Sequence, residues 1–306
     1  MQVFNQVLVL FLLILIGYGG RKTQTIEDAA VGHFSRFILH ISLPALILAS
    51  LQRPFSQELL QEALITLALS FALYGLYFLV AVLYPLAIPL FPQERGVHRY
   101  ALIFSNVGFM GFPVVEALLG QGALFHLAIF NIPFNVLAFS IGAWLIAREG
   151  KRQVVLSWKT FVNPSVVATL LGFLLFVGSV KLPESLYRTI KMTGDITSPL
   201  SMIVIGAILA RMDVRKIVGR WQYYVTVLVR LLGLPALVGA LLYAVGLRGL
   251  LWVLPTIITA MPVAANTSIL ADVYGADAEC ASSLVFLSTL FCVGTIPLVV
   301  LFGLRL

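Results

Sequence analysis

Two short stretches hold the residues whose types and spacing can do chemistry. Ser105–Gly120, "SNVGFMGFPVVEALLG", puts Asn106, Gly108, Gly111 and Pro113 into one apolar segment, and Met261–Gly275, "MPVAANTSILADVYG", puts Pro262, Asn266 and Thr267 into another. A proline inside a helix removes a hydrogen bond and clashes with the carbonyl one turn back, at a cost of ~3 kcal/mol. In lipid no water meets the freed backbone groups. Two such breaks in corresponding places predict discontinuous helices that cross near the bilayer midplane. Helix N-termini at a crossing suit a carboxylate, and freed carbonyls suit Na⁺ or a proton carrier. Asn106 and Asn266 offer donors and acceptors without a buried charge, while Gly108 and Gly111 let the backbone approach a ligand closely.

The elements that must position these residues are membrane spans. Of 306 residues, 60% are hydrophobic and 11% charged, against about 25% charged in soluble domains. Apolar segments of span length give ten candidates: 3–20, 33–52, 62–91, 98–119, 122–147, 161–180, 189–210, 220–246, 250–273 and 278–303. Prolines in "YPLAIPLFP" are expected to turn the chain out of the membrane at the end of the third. The N-terminal segment lacks a basic n-region and a small-residue cleavage site, so it reads as a retained span. The net charge of +7 comes from Lys and Arg scattered through short connections, which excludes a nucleic-acid-binding surface and fits residues that set orientation. With the N-terminus outside, inner connections hold thirteen: Arg21, Lys22, Arg36, Arg95, Arg99, Arg148, Lys151, Arg152, Lys159, Arg211, Arg215, Lys216 and Arg220. Outer ones hold six, Arg53, Lys181, Arg188, Lys191, Arg248 and Arg305. Both termini are therefore expected outside a plasma membrane, in a bacterium the periplasmic side of the inner membrane.

The longest inner connection separates five spans from five, so two similar halves, 1–150 and 151–306, would run in opposite orientations, as inverted repeats of secondary transporters do. The second span of each half carries a Ser-Pro pair or near-pair, Ser42 and Pro44 in "FILHISLPALILAS" and Ser198 and Pro199 in "GDITSPLSMIVIGAIL". The fourth spans carry the two breaks, ending at Gly120 and Gly275.

At "SNVGFMGFPVVEALLG", "NPSVVATLLGFL" and "MPVAANTSILADVYGADAECASSLVFLSTL" the chain resembles the auxin efflux carrier family, over essentially its whole length. The resemblance implies an all-α integral membrane fold of ten helices in two inverted five-helix repeats, similar to bile-acid sodium symporters. Helices four and nine would be broken and crossed. It also implies a scaffold of spans one, two, six and seven, and a transport domain of spans three to five and eight to ten, with substrate between them. The long central hydrophilic loop of plant members is missing; only about a dozen residues stand there.

On that reading the substrate-binding residues are Asn106, Gly108, Gly111, Pro113, Pro262, Asn266 and Thr267, with Ser42, Pro44, Asn131, Asn135, Ser198, Pro199 and Ser288 lining the cavity. Ionisable residues inside a membrane are functional candidates. Glu116, Asp195, Arg230 and Asp272 are the candidates for ion or proton coupling. Three have a plainer reading: Glu116 as a solvated carboxylate near the surface, Arg230 as a snorkelling or paired side chain, and Asp272 as half of a structural pair; the sharper reading of Arg230 is a countercharge for a substrate anion or for Glu116. Cys280 and Cys292 lie about 18 Å apart along one helix, so they read as packing residues and not as a disulfide. The four histidines show no metal-ligand pattern, and no metal or resident cofactor is expected beyond a coupling Na⁺ or H⁺.

The expected function is secondary or facilitative transport of a small organic anion, a mono- or dicarboxylate or an auxin-like indole acid, by elevator-type alternating access. A ligand sensor that keeps the fold without net flux is the alternative. An enzyme is not expected, since no nucleophile–base set or zinc-protease motif appears, and no Walker A sequence points to ATP. The expected partners are the carboxylate, the lipid bilayer and a second copy met through the scaffold helices.

Overall fold

The computed structural model describes residues 2–150, 163–211 and 220–303. Lys151, Arg152, Lys159, Arg215, Lys216 and Arg305 of the orientation count lie outside the described residues. Among those residues the protein is helical, and its one β-type pairing is the isolated antiparallel bridge Ser105–Val263. Among the described residues six helices are long and apolar enough to cross a membrane: Asp28–Ser50, Gln57–Ala87, Gln121–Ala147, Glu184–Arg211, Trp221–Ala244 and Ala278–Leu301. The first expected span is the 21-residue helix Gln2–Lys22.

The remaining expected spans are shorter for visible reasons. The fourth is split into Arg95–Ile103 and Phe112–Leu119, the ninth into Leu250–Thr259 and Asn266–Tyr274, and the sixth is the 14-residue helix Pro164–Val177. The third runs from Gln57 straight through Pro85 to Ala87, so the chain leaves the helix two residues after that proline rather than at it. Gly120 (φ 79°) and Gly275 (φ 69°) end the half-helices in backbone that a side chain disfavours, as expected.

Three prolines share a signature. Wide π-type turns at Ile38–Ser42, Val107–Gly111 and Val229–Gly233 directly precede helices whose second residue is Pro44, Pro113 or Pro235. Widening the turn by one residue relieves the clash between the proline ring and the carbonyl one turn back.

The chain divides into two compact units. The first comprises Met1–Ala68, Gly108–Ile132 and Phe161–Met212. In it the Gln2–Lys22 helix lies against Thr197–Arg211 with backbones touching: a Cβ on Gly17 would sit 1.9 Å from the Ile203 carbonyl oxygen, and one on Gly206 1.9 Å from that of Ile14. Small residues permit such approach, and dispersion rather than hydrophobic transfer then holds helices together in lipid. Asp28 joins the ends of the pair, with Arg21 and Arg211 each 2.8 Å from its Oδ1. The Leu43–Ser50 helix packs on Pro164–Val177 and Glu184–Asp195, with Gly194 pressed on the Leu46 backbone.

The second unit comprises Leu69–Val107, Pro133–Thr160 and Asp213–Leu306. The Ala278–Gly303 helix touches Arg95–Ile103, Trp221–Leu228 and Asn266–Tyr274. Tyr74, Tyr77, Phe78, Tyr100, Phe104 and Phe134 form an aromatic cluster around Phe104, and Gly142 fits against the rings of Tyr100 and Phe104. Both units expose many large apolar side chains, among them Leu15, Leu86, Leu174 and Leu298. Lipid solvates such a surface.

Candidate functional site

The two broken segments meet within the second unit. Asn106 N–H donates to the Pro262 carbonyl at 2.8 Å, and Ala264 N–H to the Phe104 carbonyl at 3.0 Å, a short antiparallel pairing of the residues between the half-helices. Three further N–H groups beside the breaks also find partners. Val107 N–H reaches the Ser105 carbonyl, Thr267 gives both its N–H and its hydroxyl to the Ala264 carbonyl, and Val263 N–H donates to Ser288 Oγ at 3.0 Å. Every one of these bonds replaces water that a bilayer would not supply.

Arg230 completes the pairing. Its side chain is fully buried, and it donates from Nη1 to the Leu102 carbonyl (2.8 Å), from Nε to the Met261 carbonyl (3.2 Å) and from Nη2 to Ser105 Oγ. Leu102 and Met261 lie at the C-terminal ends of the half-helices Arg95–Ile103 and Leu250–Thr259, where the helix dipoles are negative. One guanidinium thus ties both breaks together. Among the described residues no carboxylate forms an ion pair with it, so the crossing carries a positive charge offset only by dipoles. The opposite half-helices start nearby in sequence, at Val107 and Asn266, with positive ends of their own.

Of the plainer readings of Arg230, pairing holds and snorkelling does not: three oxygens of the breaks, none of them a carboxylate's, hold its buried side chain. Other expectations also shift. Pro113 does not make the break; the π-type turn Val107–Gly111 runs directly into Phe112–Leu119 and accommodates the proline within the helix, and the break falls at Phe104–Asn106. Pro262 does lie in its break and contributes the carbonyl that Asn106 uses. Thr267 and Ser288 are fully buried and spend their hydroxyls on backbone, so they hold the crossing rather than line a cavity. Ser288→Ala strands the Val263 N–H, and a loss of ~1–3 kcal/mol is expected in denaturant unfolding; an unchanged midpoint would show that the bond is not needed.

Asn266 opens its half-helix beside the Tyr100 hydroxyl, although neither its Oδ1 nor that hydroxyl completes a well-formed hydrogen bond. Asn106, Asn131 and Asn135 are buried and each has a partner. Gly111 is buried in the π-type turn. Gly108 is not required by packing, since a Cβ there would meet Leu43 at an ordinary 3.6 Å.

In the first unit a second polar group gathers around Glu116. Ser198 Oγ donates to Glu116 Oε2 at 2.5 Å and Gln121 Nε2 to Oε1 at 3.4 Å. Lys191 pairs with Asp195 at 2.8 Å, and these two with Ser50, Gln121 and Tyr187 line a cavity of about 30 Å³, room for about one water. Glu116 is therefore bonded to a neighbouring span rather than merely solvated. Pro199 stands in the first turn of Thr197–Arg211. Ser42 is buried with its hydroxyl unpartnered, whereas Pro44 lines an open apolar groove of about 420 Å³. Asp272 is exposed, and among the described residues it makes no ion pair, contrary to the expected pairing. Cys280 and Cys292 are buried and form no disulfide among the described residues.

Sequence reading missed the clamp's acceptors, Ser105 among them, and the buried hydrogen bond between Tyr77 and Thr259 (2.6 Å). Residues 128 or 182 positions apart carry no local signal of such pairing. It also passed over Glu94 and His98, whose i, i+4 spacing is visible in the sequence.

Known proteins place the crossing in context. A family described as membrane transport protein matches residues 2–300. A Rhizobium meliloti protein named "Putative malonate transporter" is 25% identical over 96% of this chain and 94% of its own length. An uncharacterized transporter of Methanothermobacter thermautotrophicus is 23% identical over 95% of each chain, and the uncharacterized transporter YfdV of Escherichia coli K12 is 22% identical over 67% of this chain and 68% of its own. With helices of membrane-spanning length, two paired breaks and a family match along nearly the whole sequence, the chain belongs to the membrane transport protein family to which its likeness to auxin efflux carriers pointed.

Proposed function

We propose that this transporter moves a small organic anion, a mono- or dicarboxylate, by alternating access around the paired breaks. Its ten spans would form two inverted five-span repeats. The observation that carries the reading is Arg230, buried at the paired breaks and, among the described residues, in no ion pair with a carboxylate. A buried cation raises the local potential far more than an exposed one, and the half-helix N-termini at Val107 and Asn266 add N–H donors. An anion entering there gains attraction without requiring another basic side chain. A relative named for malonate makes that dicarboxylate the first to test.

Glu116, held by Ser198 and Gln121, is the carboxylate best placed in its unit to take a coupling Na⁺ or H⁺. Thermal unfolding of the purified protein against a panel of carboxylates, with and without Na⁺ and at two pH values, tests both parts. A true ligand at 100 times its Kd adds ~2.7 kcal/mol. Malonate or a close dicarboxylate is expected to stabilise the wild type, and Glu116→Gln to remove any Na⁺ or pH dependence while leaving the anion effect. A flat response of folded protein to every carboxylate would overturn the proposal.

A further inference from the structure

The cytoplasmic-side connection expected before the fourth span brings a different cluster together. Glu94 closes the 3₁₀ turn Pro92–Glu94, His98 follows one turn later on Arg95–Ile103, and Cys280 lies in the first turn of Ala278–Gly303. All three are buried, and a carboxylate oxygen, a ring nitrogen and the thiol sulfur lie within 4.8 Å of one another. We propose that Glu94, His98 and Cys280 form a transition-metal site, with Zn²⁺ the ion their donor set suits.

The surrounding hydrogen bonds prepare His98 as a ligand. Thr226 donates its one hydroxyl proton to the Gln222 carbonyl at 2.9 Å. Its oxygen must then accept from His98 Nδ1 (2.6 Å) and from the Tyr84 hydroxyl (2.7 Å). That fixes the proton on Nδ1 and leaves the lone pair on Nε2, which is buried with no hydrogen-bond partner. A metal-bound imidazole is oriented in this way by a bond from its other nitrogen.

Cys280 is placed by its own N–H, which donates to Asp277 Oδ1 at 2.8 Å. Glu94 already holds Arg220 and the Tyr223 hydroxyl on Oε1. Its carboxylate is buried, so a nearby cation would offset the cost of holding the charge there. Tetrahedral zinc with N, O and S ligands at 2.0–2.3 Å sets donor atoms ~3.3–3.8 Å apart. The ligands need close by at most ~1.5 Å. A thiolate and a carboxylate would neutralise Zn²⁺, the fourth position being left to water or the Tyr223 phenol. The ion would staple Arg95–Ile103, which leads into one break, to the Ala278–Gly303 helix, whose Ser288 holds the other.

Co²⁺ titration of the reduced, purified full chain reads the site directly. One equivalent is expected to give tetrahedral d–d bands and a thiolate-to-cobalt charge-transfer band, both bleached by Zn²⁺. Cys292→Ala should keep them and Cys280→Ala should lose the charge-transfer band. Thr226→Val should weaken Co²⁺ binding ~10–100-fold by freeing the imidazole's orientation. Monodisperse wild type without a charge-transfer band, or the same band in Cys280→Ala, would overturn the proposal. Should Cys280→Ala not fold, the wild-type and Cys292→Ala spectra decide, since loss of the band in Cys292→Ala alone would place the metal elsewhere.

Discussion

Arg230→Met is expected to abolish transport and to lower stability by about 3–5 kcal/mol, the range for removing one member of a buried polar network. The substitution keeps much of the aliphatic length, so the loss comes from the Leu102 and Met261 carbonyls and the Ser105 hydroxyl, all stranded at once. Those two carbonyls end the half-helices on opposite sides of the pairing, and without a shared donor the breaks are held by two backbone bonds and Ser288. Arg230→Lys separates charge from geometry. An ammonium keeps the positive potential but lacks the planar fork that serves three acceptors in fixed directions. It is expected to restore anion binding in part while unfolding at lower denaturant than wild type. Denaturation midpoints and uptake measured on the same preparations check both. A methionine variant with wild-type stability and flux would remove Arg230 from the account.

The second large effect lies in the first unit. Gly17→Val and Gly206→Val are each expected to destabilise the protein by more than the ~1–3 kcal/mol typical of overpacking. The atom each new Cβ meets at 1.9 Å is a backbone carbonyl oxygen, which cannot swing aside as a side chain would. The Gln2–Lys22 and Thr197–Arg211 helices must part along their length, and the Arg21–Asp28–Arg211 ion pairs at their end part with them. Gly75→Ala is the control. A Cβ there meets nothing within 4 Å, and Ala gains ~0.5–1 kcal/mol over Gly inside a helix. Equal thermal stability of Gly17→Val and Gly75→Ala would contradict the packing described.

How far the sequence could be read follows from where the physics is local. Helix-breaking residues in an apolar window announce a discontinuity whatever surrounds them, so the breaks near Asn106 and Pro262 were legible, as were the glycine stops at 120 and 275. The cause of the first break was not. Pro113 looked responsible, yet a π-type turn lets the chain absorb it, and the extended residues Phe104–Asn106 are held by partners from the other break. Arg230 was conspicuous, but its role depends on carbonyls 31 and 128 positions away, which no spacing rule reaches. Ser288 and Thr267 have the same history: their types suggested contact with a solute, and burial gave their hydroxyls to the backbone. Glu94 and His98 mark the opposite case, a local spacing present in the sequence whose meaning appeared only when Cys280, far along the chain, came beside them.

The measurement that reaches the central claim is uptake of labelled malonate into proteoliposomes, comparing wild type with Arg230→Lys and Arg230→Met at equal incorporation, under imposed Na⁺ and pH gradients. Wild type is expected to show saturable uptake that other short dicarboxylates inhibit, Arg230→Lys reduced uptake and Arg230→Met none. Dicarboxylate flux that is undiminished in Arg230→Met, or a wild type no different from empty liposomes for every carboxylate under every gradient, would contradict it.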